Sequence, residues 1–212
     1  MVKNLEDIVI TNALRTPIGK YNGGMGSYQA HDLGSEVIKN LIKESSISSN
    51  DIDEIIMGQV LTGNTGQNSA RQAAIKAGVP DSKTAFLINQ VCGSGLRSIA
   101  IAYQSLKIRD TNIIIAGGQE SMTNYDKDMM LKDGLIDVYN KYHMGVTAEN
   151  VADKWDISRQ EQDKFAVSSQ FKAQQAIKEN RFKEEIITGI IEKDEHPRAD
   201  VSFESLSKLK TI

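Results

Sequence analysis

From residue 8 to about residue 118, apolar positions alternate between two spacings. Runs in which apolar residues follow one another closely occupy residues 8–14, 52–60, 84–91 and 112–117, and these predict strands. Between them, residues 32–44, 69–77 and 95–107 place apolar side chains three and four positions apart, which predicts helices. Phe86-Leu87-Ile88 and Ile113-Ile114-Ile115 are apolar on consecutive positions, so both faces of those strands are expected to be covered. A β-α-β-α order of this kind predicts an α/β layered architecture.

Beyond Gly118 the pattern weakens. Residues 121–141 are polar, carry methionines and contain a Lys132-Asp133-Gly134 turn signal, which reads as a long excursion from the layered body. Ser158-Arg159-Gln160-Glu161 then fits a capping box, in which the Ser hydroxyl and the Glu carboxylate accept from free N–H groups at a helix start. The helix is expected to run to about Asn180. It should pack by a stripe of Phe165, Ala166, Ser169, Ala173, Ala176 and Ile177, with Lys164, Gln170, Lys178 and Glu179 elsewhere. Residues 192–212 are polar, include Pro197 and carry no strand signal.

Composition narrows the function classes. Lys and Arg number 25 against 28 Asp and Glu, for a formal net charge of -3, and the two signs are interspersed, so no basic face for nucleic acid is expected. The apolar runs fall far short of the roughly 20 residues that cross a bilayer, and the charged N-terminus lacks the layout of a signal peptide. A cytoplasmic location is expected. The single cysteine excludes an internal disulfide and a Cys-based zinc site, so any chemistry it performs is that of a thiolate.

That cysteine occupies the most informative segment, Asn89-Gln90-Val91-Cys92-Gly93-Ser94-Gly95-Leu96. A strand ending at Val91, a Gly-Ser-Gly turn and an apolar helix carrying Leu96, Ile99, Ala100, Ile101, Ala102, Tyr103 and Leu106 would place Cys92 at a helix N-terminus inside the protein. There the helix dipole favours the thiolate, the glycines admit a substrate carbonyl, and the Cys92 N–H can donate to a developing oxyanion. A lone cysteine also reads as a small buried hydrophobe.

Other candidates are weaker. His143-Met144-Gly145 could line an apolar acyl pocket, although a lone histidine is more often structural. Gly117-Gly118-Gln119-Glu120-Ser121 reads as a turn ending a strand. Gly19-Lys20 lacks the upstream glycine of a phosphate-binding P-loop. His31, expected to cap or to lie at the surface, and His196, expected to be solvated, are the other candidate bases, and nothing in the sequence ties either to Cys92.

Taken together, these segments resemble the thiolase family, specifically its biosynthetic acetoacetyl-CoA branch. The resemblance rests on Ala13-Leu14-Arg15-Thr16-Pro17-Ile18-Gly19, on Gly58-Gln59-Val60-Leu61 with Gly66-Gln67-Asn68-Ser69-Ala70-Arg71-Gln72, and on the segment from Asn89 to Leu96. It continues through Ala116-Gly117-Gly118-Gln119-Glu120-Ser121-Met122, residues 143–150 and Asp194-Glu195-His196-Pro197-Arg198. The His143-Met144-Gly145 triplet matches the short-chain type.

The resemblance implies a thiolase-like layered fold with a mixed sheet and a buried central helix after the nucleophile. It divides the chain into an N-terminal α/β domain, residues 1–120, and a loop domain, residues 121–212. It implies ping-pong condensation of two acetyl-CoA molecules to acetoacetyl-CoA, or the reverse thiolysis, through an acetyl-Cys92 intermediate. Leu135 and His143 would border the pantetheine arm, and Met144 would bound the acyl pocket. Coenzyme A thioesters are substrates in that scheme, no cofactor or metal is required, and a homodimer is expected.

Thiolases of this type are nearly twice as long. The sequence stops before the family's Asn-Glu-Ala-Phe segment, its Gly-His-Pro histidine and its second cysteine, which carry the proton transfers. Residues 122–131 and 187–194 are also shorter than in the family, where those stretches serve tetramer formation and the adenine end of CoA. The apolar helix after Cys92 would expose a large face in this half alone, predicting association. A truncated thiolase-like subunit acting by binding only, and a β-ketoacyl-carrier-protein synthase, are the alternative readings; the latter lacks the motif at residues 143–150.

Overall fold

The computed structural model describes residues 7–211. Its centre is a three-stranded sheet, β1 (Glu54–Gly58), β2 (Thr84–Ile88) and β3 (Ile114–Gly118), in the order β2-β1-β3. Both pairings are parallel, with Gly58 opposite Ile88 on one side and Gly118 on the other. The sheet of the described residues is therefore parallel rather than mixed. Each strand is reached through a helix, α2 (Ser69–Lys76) from β1 to β2 and α3 (Ser94–Ile108) from β2 to β3, and a helical crossover returns the chain in the same direction. Because the two crossovers step in opposite directions along the sheet, right-handed connection puts α2 and α3 on opposite faces.

Period-two alternation in β1 serves both faces. Ile55 and Met57 enter a core with Ile38 of α1 (Ala30–Ser45), with Ala70, Ala73 and Ala74 of α2, and with Ile52 and Val79. Ile56, also fully buried, points the other way, toward α3. The row of alanines lets α2 lie close against α1 and the sheet. Truncating Ile55 to alanine would remove roughly 2–5 kcal/mol.

Residues 8–14 do not form the expected first strand. The chain there joins other structure through Arg15, which bridges to Ile186, and a cavity of about 660 Å³ separates residues 8–16 from β3, α1 and α3. The free edge of β3 thus lies across an unfilled gap from the segment whose pattern suited it.

Residues 121–211 are held to the body by polar ties and by the packing of Tyr125 and Met130 on Leu61. α4 (Lys127–Met130) leads into a π-helical turn (Leu131–Leu135), followed by α5 (Met144–Lys154), α6 (Arg159–Lys178) and α7 (Phe203–Ser207). The capping box at Ser158 and Glu161 is formed as expected. The stripe expected on α6 is only partly covered: Ala166, Ala173 and Ala176 are half-buried, whereas Phe165 is 77% exposed. What α6 buries is Asp163, paired with Arg159, whose guanidinium also donates to the Leu206 and Leu209 carbonyls around α7. Apolar spacing indicated the helix, but these polar bonds orient it. On the other side, Arg15 donates to Asp194 and Glu185 and lies over the Phe182 ring, and Asp194 and Glu195 accept from the backbone N–H groups of Ile18, Lys20 and Gly24.

Candidate active site

All three strands end at one edge, and the loops that follow them, after Gly58, Ile88 and Gly118, meet there. This is the edge of a parallel sheet at which α/β proteins assemble sites. The loop after β2 carries Cys92. Val91, just before it, has φ of +50°, a left-handed conformation that a β-branched residue rarely adopts. Three hydrogen bonds hold it there: the Val91 N–H donates to Asn89 Oδ1 at 2.9 Å, and the Val91 carbonyl accepts from the Ser94 N–H at 3.1 Å and Oγ at 2.5 Å. The chain reverses sharply at this elbow and enters α3.

Cys92 sits at the tip of the elbow and is exposed, not enclosed as its apolar neighbours suggested. The reason is the packing of α3. Ser94, Ser98 and Ala102, spaced by four, are the residues it buries against the sheet, and Ser98 Oγ bonds the Gly95 and Gly117 carbonyls. Its other face shows Leu96 at 76% and Tyr103 at 51% exposure. That face is open at Leu96 and borders the cavity across from residues 8–16 at Ile99 and Tyr103, so α3 is half-buried where a fully buried central helix was expected. The Gly93 and Ser94 N–H groups turn inward to the Gln90 and Val91 carbonyls, while the Cys92 N–H makes no hydrogen bond among the described residues.

The two other loops support the elbow. Asn89 Nδ2 donates to the Val60 carbonyl at 3.2 Å. The Val60 N–H donates to a Glu120 carboxylate oxygen at 2.9 Å, and the Leu61 N–H reaches both oxygens at 3.4 Å. Burial pushes the Glu120 carboxyl above its ordinary range, opposed by the N–H groups of Val60, Leu61 and Ser121. Sequence reasoning passed over Glu120 as part of a turn. The available signal was an acid placed directly after strand-ending glycines at the ligand-binding edge of a parallel sheet.

Leu135 lies on the far side of the same loop, packed with Val60 against a cluster of Leu61, Tyr125 and Met130. Tyr125 fastens this cluster by donating to Asp133 and accepting from the Gly63 N–H. Ile136 forms an antiparallel bridge with His143, which brings the Leu135 segment beside His143 and Met144. His143 caps α5, an element the sequence pattern did not reveal: its Nδ1 accepts from the Gly145 N–H at 3.0 Å, so the neutral ring carries its proton on Nε2. His143 and Met144 are exposed.

The structure thus brings Leu135, His143 and Met144 together, and joins Leu135 to the Cys92 elbow through the residue 60–61 loop. No hydrogen bond among the described residues links Cys92 to a histidine. His196 is exposed, as expected. His31, against expectation, is buried in the first turn of α1, where Gln29 forms the cap; its Nε2 stands 3.7 Å from Asp32, and its Nδ1 has no partner. The cavity behind β3 is not lined by Cys92. No cluster of three His, Cys, Asp or Glu among the described residues is arranged to hold a metal, and no helix there is long and apolar enough to cross a membrane.

The structure is a parallel α/β layer with a cysteine on a strained turn into a helix, and comparison with known proteins identifies the family. A model of the thiolase N-terminal domain matches residues 8–127 and 124–212. The acetyl-CoA acetyltransferase of Rhizobium meliloti is 43% identical over 228 aligned positions, which cover 96% of this chain and 58% of that protein. A probable acetyl-CoA acetyltransferase of Escherichia coli is 44% identical, with 97% and 59% covered. The crystal structure of the Bacillus anthracis acetyl-CoA acetyltransferase superimposes with a TM-score of 0.91 at 31% identity, covering 95% of this chain and 58% of that one. The chain belongs to the thiolase family and spans somewhat under three-fifths of the length of these relatives. The alignment is longer than the chain's 212 residues, so the relatives carry residues inside the matched span that this chain lacks. The family match divides at residues 124–127, within one of the two stretches read as short.

Proposed function

We propose that this chain supplies the acylation half of an acetyl-CoA C-acetyltransferase, with Cys92 as the nucleophile. The observation that carries the reading is the exposed cysteine on a left-handed elbow at the start of α3, in a chain of the thiolase family. Its thiolate attacks the thioester carbonyl of acetyl-CoA, and the Cys92 N–H is the oxyanion donor. The tetrahedral intermediate collapses with cleavage of the bond to CoA, whose thiolate leaves and takes up a proton. In the second half, a second acetyl-CoA gives an α-proton to the general base that protonated the leaving CoA thiolate, and its carbanion attacks the acetyl-Cys92 carbonyl. Acetoacetyl-CoA forms as the Cys92 thiolate departs. Thiolysis is the same sequence reversed.

Leu135, His143 and Met144 form the wall for the pantetheine arm and the acyl group, with His143 Nε2–H as a donor to the arm's amide carbonyls. The reading extends to a cytoplasmic homodimer that uses CoA thioesters as substrates without a bound cofactor.

Incubation with acetyl-CoA should place one acetyl group on the peptide containing Cys92, and Cys92→Ser should abolish it. One second reading is a subunit that binds acyl-CoA without turnover, since Cys92 stands exposed and no histidine among the described residues is hydrogen-bonded to it. Saturable binding of acetyl-CoA with no adduct at Cys92 would establish that reading instead.

A further inference from the structure

We infer that Glu120 and Asn89 are positioning residues for Cys92, acting through the strained conformation of Val91. The inference deepens the proposed role of Cys92 and rests on it. A series of hydrogen bonds runs from the Glu120 carboxylate to the Val60 and Leu61 N–H groups, from the Val60 carbonyl, which shares a peptide group with the Leu61 N–H, to the Asn89 amide, and from Asn89 Oδ1 to the Val91 N–H. Glu120 follows β3, Val60 follows β1 and Asn89 follows β2, so the series crosses the sheet edge in spatial order, strand by strand. It ends one residue before the nucleophile.

Each link sets the next. The Leu61 N–H belongs to the same peptide group as the Val60 carbonyl, and the Glu120 carboxylate that accepts from it at 3.4 Å polarises that peptide and strengthens its carbonyl as an acceptor. That carbonyl accepts only from the amide nitrogen of Asn89, which turns Oδ1 toward Val91 and excludes the flipped rotamer. A β-branched residue rarely adopts the left-handed region and persists there only where its surroundings over-determine it. The Asn89 acceptor on one side and Ser94 on the other provide that determination. Gly118, two residues before Glu120, lies beside β1 and the start of α3: a β-carbon there would stand 3.3 Å from the Gly58 carbonyl oxygen and 3.5 Å from Gly95 Cα.

The test uses iodoacetamide, a small reagent whose attack on Cys92 needs no acetyl-CoA. Glu120→Gln keeps shape and removes the charge. Asn89→Asp keeps the acceptor for Val91 but sets an oxygen against the Val60 carbonyl. Each should slow alkylation of Cys92 by about threefold or more, on the order of one hydrogen bond's net contribution. Val91→Gly relieves the left-handed strain, so in that background Glu120→Gln should lose most of its effect. Asp194→Asn, which weakens the fold far from the elbow, should leave alkylation unchanged.

The inference is overturned if Glu120→Gln alkylates at the wild-type rate, or if its effect is undiminished beside Val91→Gly. Acetylation is scored separately in the wild-type chain. Slowed alkylation in the variants with no acetyl adduct in the wild type would retain the positioning series and overturn the proposed activity.

Discussion

Gly58, the last residue of β1, lies directly beneath Ser94, the first residue of α3. A β-carbon on Gly58 would stand 2.5 Å from the Ser94 carbonyl carbon and 2.6 Å from the Gly95 nitrogen. Both are backbone atoms, so no rotamer change relieves the contact. The helix that carries Cys92 is seated on the sheet by the absence of one side chain, which fixes the height of the elbow above the strand ends.

Gly58→Ala should therefore lift the N-terminus of α3 and cost about 1–3 kcal/mol of stability, as overpacking does. Urea unfolding would show a lowered midpoint, and Cys92 alkylation in the folded protein would change with it. An unaltered midpoint would mean that α3 approaches the sheet less closely.

The Arg15 guanidinium holds the Asp194 carboxyl below the usual carboxylate range, against the effect of burial. The depressed folded value means that this pair contributes stability above the unfolded aspartate range, and that the contribution disappears as pH falls through the folded value. Asp194→Asn should cost roughly 1.5–3 kcal/mol near neutrality, the range for hydrogen bonds to charged groups. The difference from wild type should shrink in acid, as followed by unfolding midpoints across pH.

His31 has the same sign of pH dependence from a different cause. Burial lowers its pKa, with Lys76 acting in the same direction and Asp32 opposing. Between the folded value and the ordinary value of about 6.5, the unfolded chain binds more protons, so stability rises with pH across that window. Acidification below neutrality should destabilise wild type more than His31→Gln. Parallel pH dependences for the two would refute this.

Leu96, Ile99 and Tyr103 line the uncovered face of α3 at 76%, 41% and 51% exposure. An apolar patch of this kind promotes association. Sedimentation should show concentration-dependent self-association of this chain, reduced when Leu96 and Tyr103 are replaced by lysine. A wild-type chain that stays monodisperse at all concentrations would contradict the expectation.

How far these features were legible depends on the range of the interactions behind them. Residues 54–58 and 84–88 appear as strands inside the predicted runs, 114–118 overlaps the run predicted at 112–117, and α1, α2 and α3 fall within a few residues of the predicted helices, because both periodicities are local consequences of one-sided or two-sided burial. The capping box at Ser158 is equally local. α5 was missed because His143, an uncommon cap, takes the place of a serine or aspartate. Residues 8–14 read as a strand because their pattern suits one, yet a strand also requires a partner edge at hydrogen-bonding distance. A gap separates them from β3 instead.

The sequence by itself determined the α/β order of the first 118 residues and the family, and it singled out Cys92 as the candidate nucleophile, since each rests on residue type and short spacing. Only the tertiary structure decided that the sheet is parallel in the order β2-β1-β3, that α3 and Cys92 stand exposed, that His31 is buried, and that Glu120 reaches Val60 and, through Asn89, Val91. Glu120 and Val60 are 60 residues apart in the chain. Only the packing of three strands side by side brings their ends within hydrogen-bond distance, and no local pattern encodes that meeting.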